Sequence, residues 1–320
     1  MSTSTPTQVP ASVQQVVGPR YRSLDVPVRG GTLRVGVWEP EDGAPADASI
    51  DDAPTVLAIH GITASHVCWA ELARQLPDVR VVAPDLRGRG RSRDLPGPYG
   101  MPTHADDVAA VLDHLGTGPV VVVGHSMGGF VTLVLGDRHP EKVSSMLLVD
   151  GGMPLVPPPG VEPEQMSHAI LGPAADRLRM TFPSPAAYRE FWADHPALGR
   201  EWTDLTSAYV DYDLVADEGG LSPATRVAAL EEDIRELVDG DSVRQALEGL
   251  RHPARWFIAP RGLMDEVPPL YPDAARALWT GRFPQLEVVD VDDVNHYTIV
   301  MLQRGADQVV PHVRAALGRD

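Results

Sequence analysis

Val120-Val121-Val122-Val123-Gly124-His125-Ser126-Met127-Gly128-Gly129 is the stretch on which the reading of this chain turns. Four valines in a row make a strand with no polar face, so both its faces must be covered. Gly124 to Gly128 matches Gly-x-Ser-x-Gly, and residues 128–139 read as a helix that Pro140 closes. Small residues on both sides of the serine permit a sharp, strained strand-to-helix turn that lifts the hydroxyl above the sheet edge. The helix N-terminus beneath it favours developing negative charge. Ser126 is therefore the expected nucleophile.

Working outward, residues 55–60, 79–84 and 143–149 are further apolar runs. Residues 69–76 and 103–115 carry helical spacing between them, with Thr103 and Asp106 placed as a capping box. Buried strands alternating with helices predict an α/β fold with a mostly parallel sheet flanked by helices. Upstream, residues 21–28 and 32–38 are β-type runs joined at Arg29-Gly30-Gly31, which predicts a hairpin. Residues 39–54, rich in Asp, Ala and Pro, predict a solvated loop. The alternation stops at Asp150. Residues 151–251 hold Pro-bounded helical stretches and no convincing strand, and strand-like runs resume at 255–259 and 286–291. The expected organisation is a flexible N-terminus over 1–19, a core of 20–150 and 252–320, and a helical cap over 151–251.

A serine nucleophile needs a base, and His296 in Asn295-His296-Tyr297 falls just beyond the last strand-like run. The base needs a carboxylate. Asp265 closes Gly262-Leu263-Met264-Asp265 after the run 255–259, whereas Asp150 ends the run 143–149. Asp265 is the expected acid, because a Gly-x-x-Asp turn after the penultimate strand is the commoner placement; Asp150, which can reach the same histidine, is the alternative. In His60-Gly61-Ile62-Thr63 the glycine lets the backbone come close, so the Ile62 and Met127 amides are the expected oxyanion hole. His60 and His125 are read as structural. The run Asp85-Leu86-Arg87-Gly88-Arg89-Gly90-Arg91-Ser92 lacks the pattern of either a P-loop or a dinucleotide site, and is read as a structural loop beside the serine turn. No His, Cys and Asp cluster has ligand spacing, so neither a metal nor any other cofactor is expected.

The 320 residues carry 44 acidic and 27 basic side chains, a formal charge of −17. That weighs against nucleic-acid and anionic-membrane partners, which need clustered Lys and Arg. The single cysteine, Cys68, excludes an internal disulfide and is expected to be buried. Neither a secretory leader nor an apolar run of membrane-spanning length is evident, and a cytoplasmic location is expected.

These segments occur in one order, and in that order the chain resembles the α/β-hydrolase superfamily over residues 21–317. The resemblance rests on His60 to Thr63, Pro84 to Ser92, Gly124 to Gly129, Gly262 to Asp265 and Asn295-His296. It implies an eight-stranded sheet, a helical lid after the sixth strand, and hydrolysis through an acyl-enzyme without a cofactor. Within the superfamily the chain is most similar to lidded bacterial carboxylesterases. The resulting expectation is an esterase acting on neutral, medium-sized apolar esters in preference to free-carboxylate substrates. The cap's acidic residues should repel anions, and some of its aromatics (Phe182, Tyr188, Phe191, Trp192, Trp202, Tyr209 and Tyr212) should line the pocket. Two alternatives stay open: a hydrolase of carbon–carbon bonds in diketone-like substrates, and a ligand receptor that keeps the triad.

Overall fold

The computed structural model describes residues 10–41, 54–156, 166–217 and 219–319. Its centre is the valine strand. β1 (Tyr21–Val28) and β2 (Gly31–Trp38) form the expected hairpin, and β3 (Thr55–Ile59), β4 (Arg80–Pro84), β5 (Val120–His125) and β6 (Val143–Val149) follow. β7 (Leu214–Asp217) and β8 (Gly220–Pro223) are a separate hairpin, and β9 (Ala254–Ile258) and β10 (Leu286–Asp290) return to the main sheet. That sheet has eight strands in the order β1-β2-β4-β3-β5-β6-β9-β10. Only β2 breaks its parallel sense, by pairing antiparallel with both β1 and β4. Every residue of β3, β4 and β5 is buried, whereas the edge strands β1 and β10 are partly exposed. This is what an unbroken valine run demands: no face of the central strands meets water.

Helices cover the faces. α1 (Ala11–Val17), α2 (Ala70–Gln75), α3 (Met101–Leu115) and α4 (Met127–Arg138) precede β6. α4 is buried on every side from Met127 to Gly136, under α3 and α10 (Asp241–Glu248). Between β6 and β9 come α5 (Met166–Leu171), α6 (Pro173–Asp176), α7 (Pro185–Ala193), α8 (Asp204–Asp213), α9 (Val227–Asp239) and α10. The chain ends with α11 (Asp273–Arg282), α12 (Thr298–Met301) and α13 (Gln303–Ala316).

Four local expectations need adjusting. Residues 10–19 are not a loose tail: Val13, Val16 and Val17 make a helical stripe that packs α1 against α8, and Trp38 Nε1 donates to the Val17 carbonyl at 3.0 Å. Residues 1–9 lie outside the described residues, as do 42–53 of the expected loop. α3 begins at Met101 with Pro102 in its first turn, two residues before Thr103, and Asp106 pairs with Arg138 instead of capping. The stretch between β6 and β9 includes the β7–β8 hairpin, whose four-residue strands are too short to show a period-two pattern in sequence.

The connectivity decides where a ligand can bind. β4 and β5 lie on opposite sides of β3, so the chain reverses its direction of progress across the sheet there. Beyond the C-terminal ends of β3 and β5 the loops diverge and leave a crevice. His60 to Thr63 follow β3 into that crevice, and Ser126 follows β5.

Candidate active site

Ser126 sits at φ 54° and ψ −123°, a backbone conformation that costs a residue with a Cβ about 1–3 kcal/mol. Packing holds it there. Its N–H donates to the Val149 carbonyl at 3.0 Å, and its own carbonyl accepts from Gly129 N–H at 2.9 Å. A methyl group on Gly128 would overlap the Ile59 carbonyl, and one on Gly151 would overlap the Ser126 carbonyl. The flanking glycines are thus required by close approach. The outcome is a serine perched between β5 and α4 on the rim of a cavity that His125, His296, Gly61 and Ile62 also line.

His296 lies just before α12 and is buried. Its Nδ1 is 2.6 Å from Asp150 Oδ2, and Asp150 is completely buried. The other Asp150 oxygen accepts from Ala259 N–H at 3.1 Å, while the Asp150 N–H donates to the Phe257 carbonyl at 2.8 Å. The carboxylate is therefore clamped between the ends of β6 and β9 and aimed at the imidazole. With Nδ1–H given to Asp150, the Nε2 lone pair is free to take a proton.

The structure thus brings Asp150, and not the expected Asp265, to the histidine. Asp265 does not meet the His296 ring. Its carboxylate accepts from Arg261 Nε at 2.6 Å and from Asn295 Nδ2 at 3.0 Å, with Arg200 nearby. Burial pushes that carboxyl up, but the Asn295 and Arg261 hydrogen bonds outweigh it and hold the group below the usual carboxylate range. The physical reason is position in the sheet. β6 is the immediate neighbour of β5, so a carboxylate at its end is one strand from the serine, whereas Asp265 lies past β9 and is captured by Arg261 and Asn295. Asn295 in turn accepts from the N–H groups of Tyr297 and Thr298 and bonds the Ala197 carbonyl. Asp265 so braces the loop that carries His296, one residue from the role expected of it.

The loop after β3 is fixed from below. His60 Nδ1 donates to the Gly61 carbonyl at 2.7 Å and its Nε2 accepts from Leu86 N–H at 2.9 Å, and burial holds its imidazole down at about 4. Arg89, fully buried, donates to the Ile62 carbonyl at 2.9 Å and pairs with Asp233 of α9 at 2.6 Å. The loop 85–92 is thus a brace for Ile62. Ile62 lines the cavity; Met127 does not, and its Sδ lies 3.9 Å from an Arg89 nitrogen. As the first residue of α4, Met127 nevertheless carries an N–H in the turn where helical donors lack intrahelical acceptors. His125 donates from Nε2 to the His296 carbonyl at 2.7 Å, and burial together with His296 keeps it neutral far below its ordinary range.

Among the described residues the cavity wall carries no Asp, Glu, Lys or Arg. Of the aromatics between β6 and β9, Tyr209 lines it. Phe182, Tyr188, Phe191 and Trp192 instead stack on one another, and Tyr188 and Trp192 do share a helix face, with ring centroids 6.4 Å apart. Tyr212 donates to Asp85 at 2.7 Å. The acidic residues of this region are largely matched: Asp213 by Arg177, Asp233 by Arg89, Asp211 by Arg189, Asp217 by Arg93 and Glu231 by Arg179. The repelling field expected from them is accordingly reduced at its source. Tyr297, Leu171, Leu263 and Met301 also line the cavity, and nothing in their local sequence distinguishes them from core residues.

Known proteins resemble this chain in sequence and in fold. A model of the α/β-hydrolase fold matches residues 54–213, a stretch that includes Ser126 and Asp150. Lipase LipV of Mycobacterium tuberculosis is 43% identical over 100 residues, 31% of this chain and 38% of that protein. The bifunctional esterase/perhydrolase DCH of Acinetobacter calcoaceticus is 39% identical over 108 residues, 33% and 39% of the two chains. A putative carbamate hydrolase, RutD, of a Caulobacter species is 34% identical over 126 residues, 39% and 45%. Each match spans less than half of the relative's length. The crystal structure of E-2-(acetamidomethylene)succinate hydrolase superposes with a TM-score of 0.70 over 93% of this chain and 99% of that one; at 22% identity the likeness is one of fold.

Proposed function

Because this chain belongs to the α/β-hydrolase family, we propose that it cleaves carboxylic esters through an acyl-enzyme, with Ser126 as nucleophile, His296 as base and Asp150 as orienting acid. The observation that carries the reading is the buried 2.6 Å contact of Asp150 with His296, on a cavity shared with the strained Ser126. His296 Nε2 takes the Ser126 proton as Oγ attacks the acyl carbon. The Ile62 and Met127 amides stabilise the tetrahedral oxyanion. Imidazolium then protonates the departing alkoxide, and a water molecule, deprotonated by the same nitrogen, hydrolyses the acyl-serine. The lipase and esterase names among the relatives support an ester as the scissile group. The uncharged cavity wall supports a small neutral ester. The lid over this site is the part of 151–251 that contributes Leu171 of α5 and Tyr209 of α8 to the cavity, whereas α10 packs on α4 with the core. Among the described residues no helix is long and apolar enough to cross a membrane, and a cytoplasmic place of work fits a chain whose one cysteine is buried.

The test is hydrolysis of p-nitrophenyl butyrate by the wild type and Ser126→Ala, with mass mapping of a fluorophosphonate adduct. Loss of at least three orders of magnitude in kcat/KM and an adduct on Ser126 are expected. Activity surviving in the alanine variant, or an adduct elsewhere, would refute the assignment.

A further inference from the structure

Two side chains in the cavity have polar atoms that the hydrolytic mechanism leaves unused. Tyr209, on α8, is 2% exposed and Tyr297, next to His296, is 8% exposed, and both line the cavity with Ser126. Neither phenol has a hydrogen-bond partner among the described residues. Neither oxygen is sealed in the packing either, as the unpartnered Trp69 and Trp192 nitrogens are. The accessible space that these two rings share is the cavity, so the hydroxyls open into it. Water can bond a hydroxyl that opens into a cavity, but a bound molecule that covers it without accepting its proton costs about 1–3 kcal/mol. Two such hydroxyls in one substrate cavity mark a place where a partner arrives with the substrate.

The chemistry of that partner follows from the surroundings. Burial raises both phenols, Tyr297 to about 12 and Tyr209 well above the ordinary value, so each enters as a neutral O–H donor. The nearest buried cation, Arg177, is taken up by Asp213 at 2.7 Å, by Tyr188 and by the Thr63 carbonyl. His195, beside Tyr297, is held neutral by burial, down at about 4. No uncompensated positive charge remains for a carboxylate, and an unpaired buried anion is expensive.

We propose that Tyr209 and Tyr297 form a subsite for a second, uncharged oxygen acceptor of the substrate, a ketone, ether or further ester oxygen set apart from the scissile carbonyl. The subsite rests on the hydrolytic reading above and narrows it, from plain alkyl esters to oxygen-bearing ones.

The experiment uses near-isosteric pairs that differ by one acceptor. On the acyl side, p-nitrophenyl pentanoate is compared with p-nitrophenyl 4-oxopentanoate. On the alcohol side, butyl acetate is compared with 2-methoxyethyl acetate, with acid release followed by titration. Wild type should favour the oxygen-bearing member of at least one pair by roughly two- to tenfold in kcat/KM. That ratio should fall toward unity in Tyr209→Phe and in Tyr297→Phe, whatever happens to the absolute rates. Equal turnover within both pairs, or a preference that persists in both phenylalanine variants, overturns the subsite. A p-nitrophenyl hemisuccinate cleaved faster than the 4-oxopentanoate overturns the assignment of an uncharged acceptor. Turnover without an oxygen preference refutes this inference alone, whereas no turnover of any ester refutes the hydrolytic reading and the subsite with it.

Discussion

Asp150→Asn replaces one oxygen by an amide nitrogen at the most enclosed point of the site. Asp150 makes two demands on its side chain: Oδ1 accepts from Ala259 N–H, and Oδ2 accepts from His296 Nδ1. An asparagine can satisfy only the first with its oxygen. Its NH₂ group then faces the imidazole, Nδ1 must become the acceptor, and the ring's proton moves to Nε2, where it blocks proton removal from Ser126. The imidazolium formed during attack also loses its counter-charge. At an effective dielectric near 20, a pair of unit charges about 4 Å apart is worth ~4 kcal/mol, which corresponds to about a thousandfold in rate. Adding the wrong tautomer carries the expected loss in kcat toward ~10⁴. The Ala259 hydrogen bond survives, so the fold should persist. The assay is kcat and kcat/KM for p-nitrophenyl butyrate, with a urea unfolding curve for each protein and Asp265→Asn measured beside it. Asp265 touches the histidine only through Asn295, so its variant should lose about tenfold or less. If Asp150→Asn stays within tenfold of wild type, or Asp265→Asn proves the more damaging change, the assignment of Asp150 as the orienting acid is wrong.

Other consequences can be checked on the same protein. Folding holds His60 at about 4 against ~6.5 unfolded, so the unfolded chain binds more protons between these values; stability should be full above pH ~6.5 and fall as pH drops toward 4, by of order 3 kcal/mol from this residue. Urea curves at pH 7.5 and 4.5 should show a smaller difference in His60→Gln than in wild type, and an equal difference would contradict the argument. Arg89→Ala leaves the fully buried Asp233 carboxylate with His104 and the Gly100 N–H but without its permanent cation, and should cost about 3–5 kcal/mol in a urea titration at pH 7. Met301 lines both the catalytic cavity and a second one lined by Ser12, Glu71, Thr203 and Leu302, so Met301→Ala should join the two. A shift of the kcat/KM optimum toward longer acyl chains is expected over a C4 to C10 ester series, and an unchanged profile would show that the wall is built from other atoms.

Much of the fold was legible because its cause is local. A run such as Val120 to Val123 has one stable solution in a protein of this size, a strand covered on both faces, and the Gly-x-Ser-x-Gly turn can pack only where a strand meets a helix. The hairpin of β1 and β2 followed from Arg29-Gly30-Gly31. The N-terminal helix was missed for a physical reason. Ala11 to Val17 has polar and β-branched residues that favour no helix by themselves, and it is the docking of Val13 and Val17 under α8 that stabilises it. The β7–β8 hairpin escaped notice because two strands of four residues carry too few alternations to stand out.

The site separates what sequence order decides from what sheet order decides. Ser126 and His296 were singled out from their neighbours along the chain, since a strained elbow and a histidine after the last strand are local patterns, and the structure places both on one cavity. The carboxylate is not a local pattern. Asp150 and Asp265 each follow an apolar strand, each adopts a positive φ, and each lies close to the loop that holds His296. What distinguishes them is that β6 lies beside β5 while β9 lies one strand further out, so the end of β6 projects to the side of the imidazole and the turn after β9 passes behind Asn295. Arg261 adds to the separation by engaging Asp265 four residues on, which leaves that carboxylate satisfied without the histidine. Among the described residues Asp150 has no basic hydrogen-bond partner except the imidazole, and its remaining oxygen is spent on a backbone amide. On the proposed mechanism a carboxylate sealed from water in that way has a use, because its one side-chain partner, the imidazole, becomes a cation as the serine attacks.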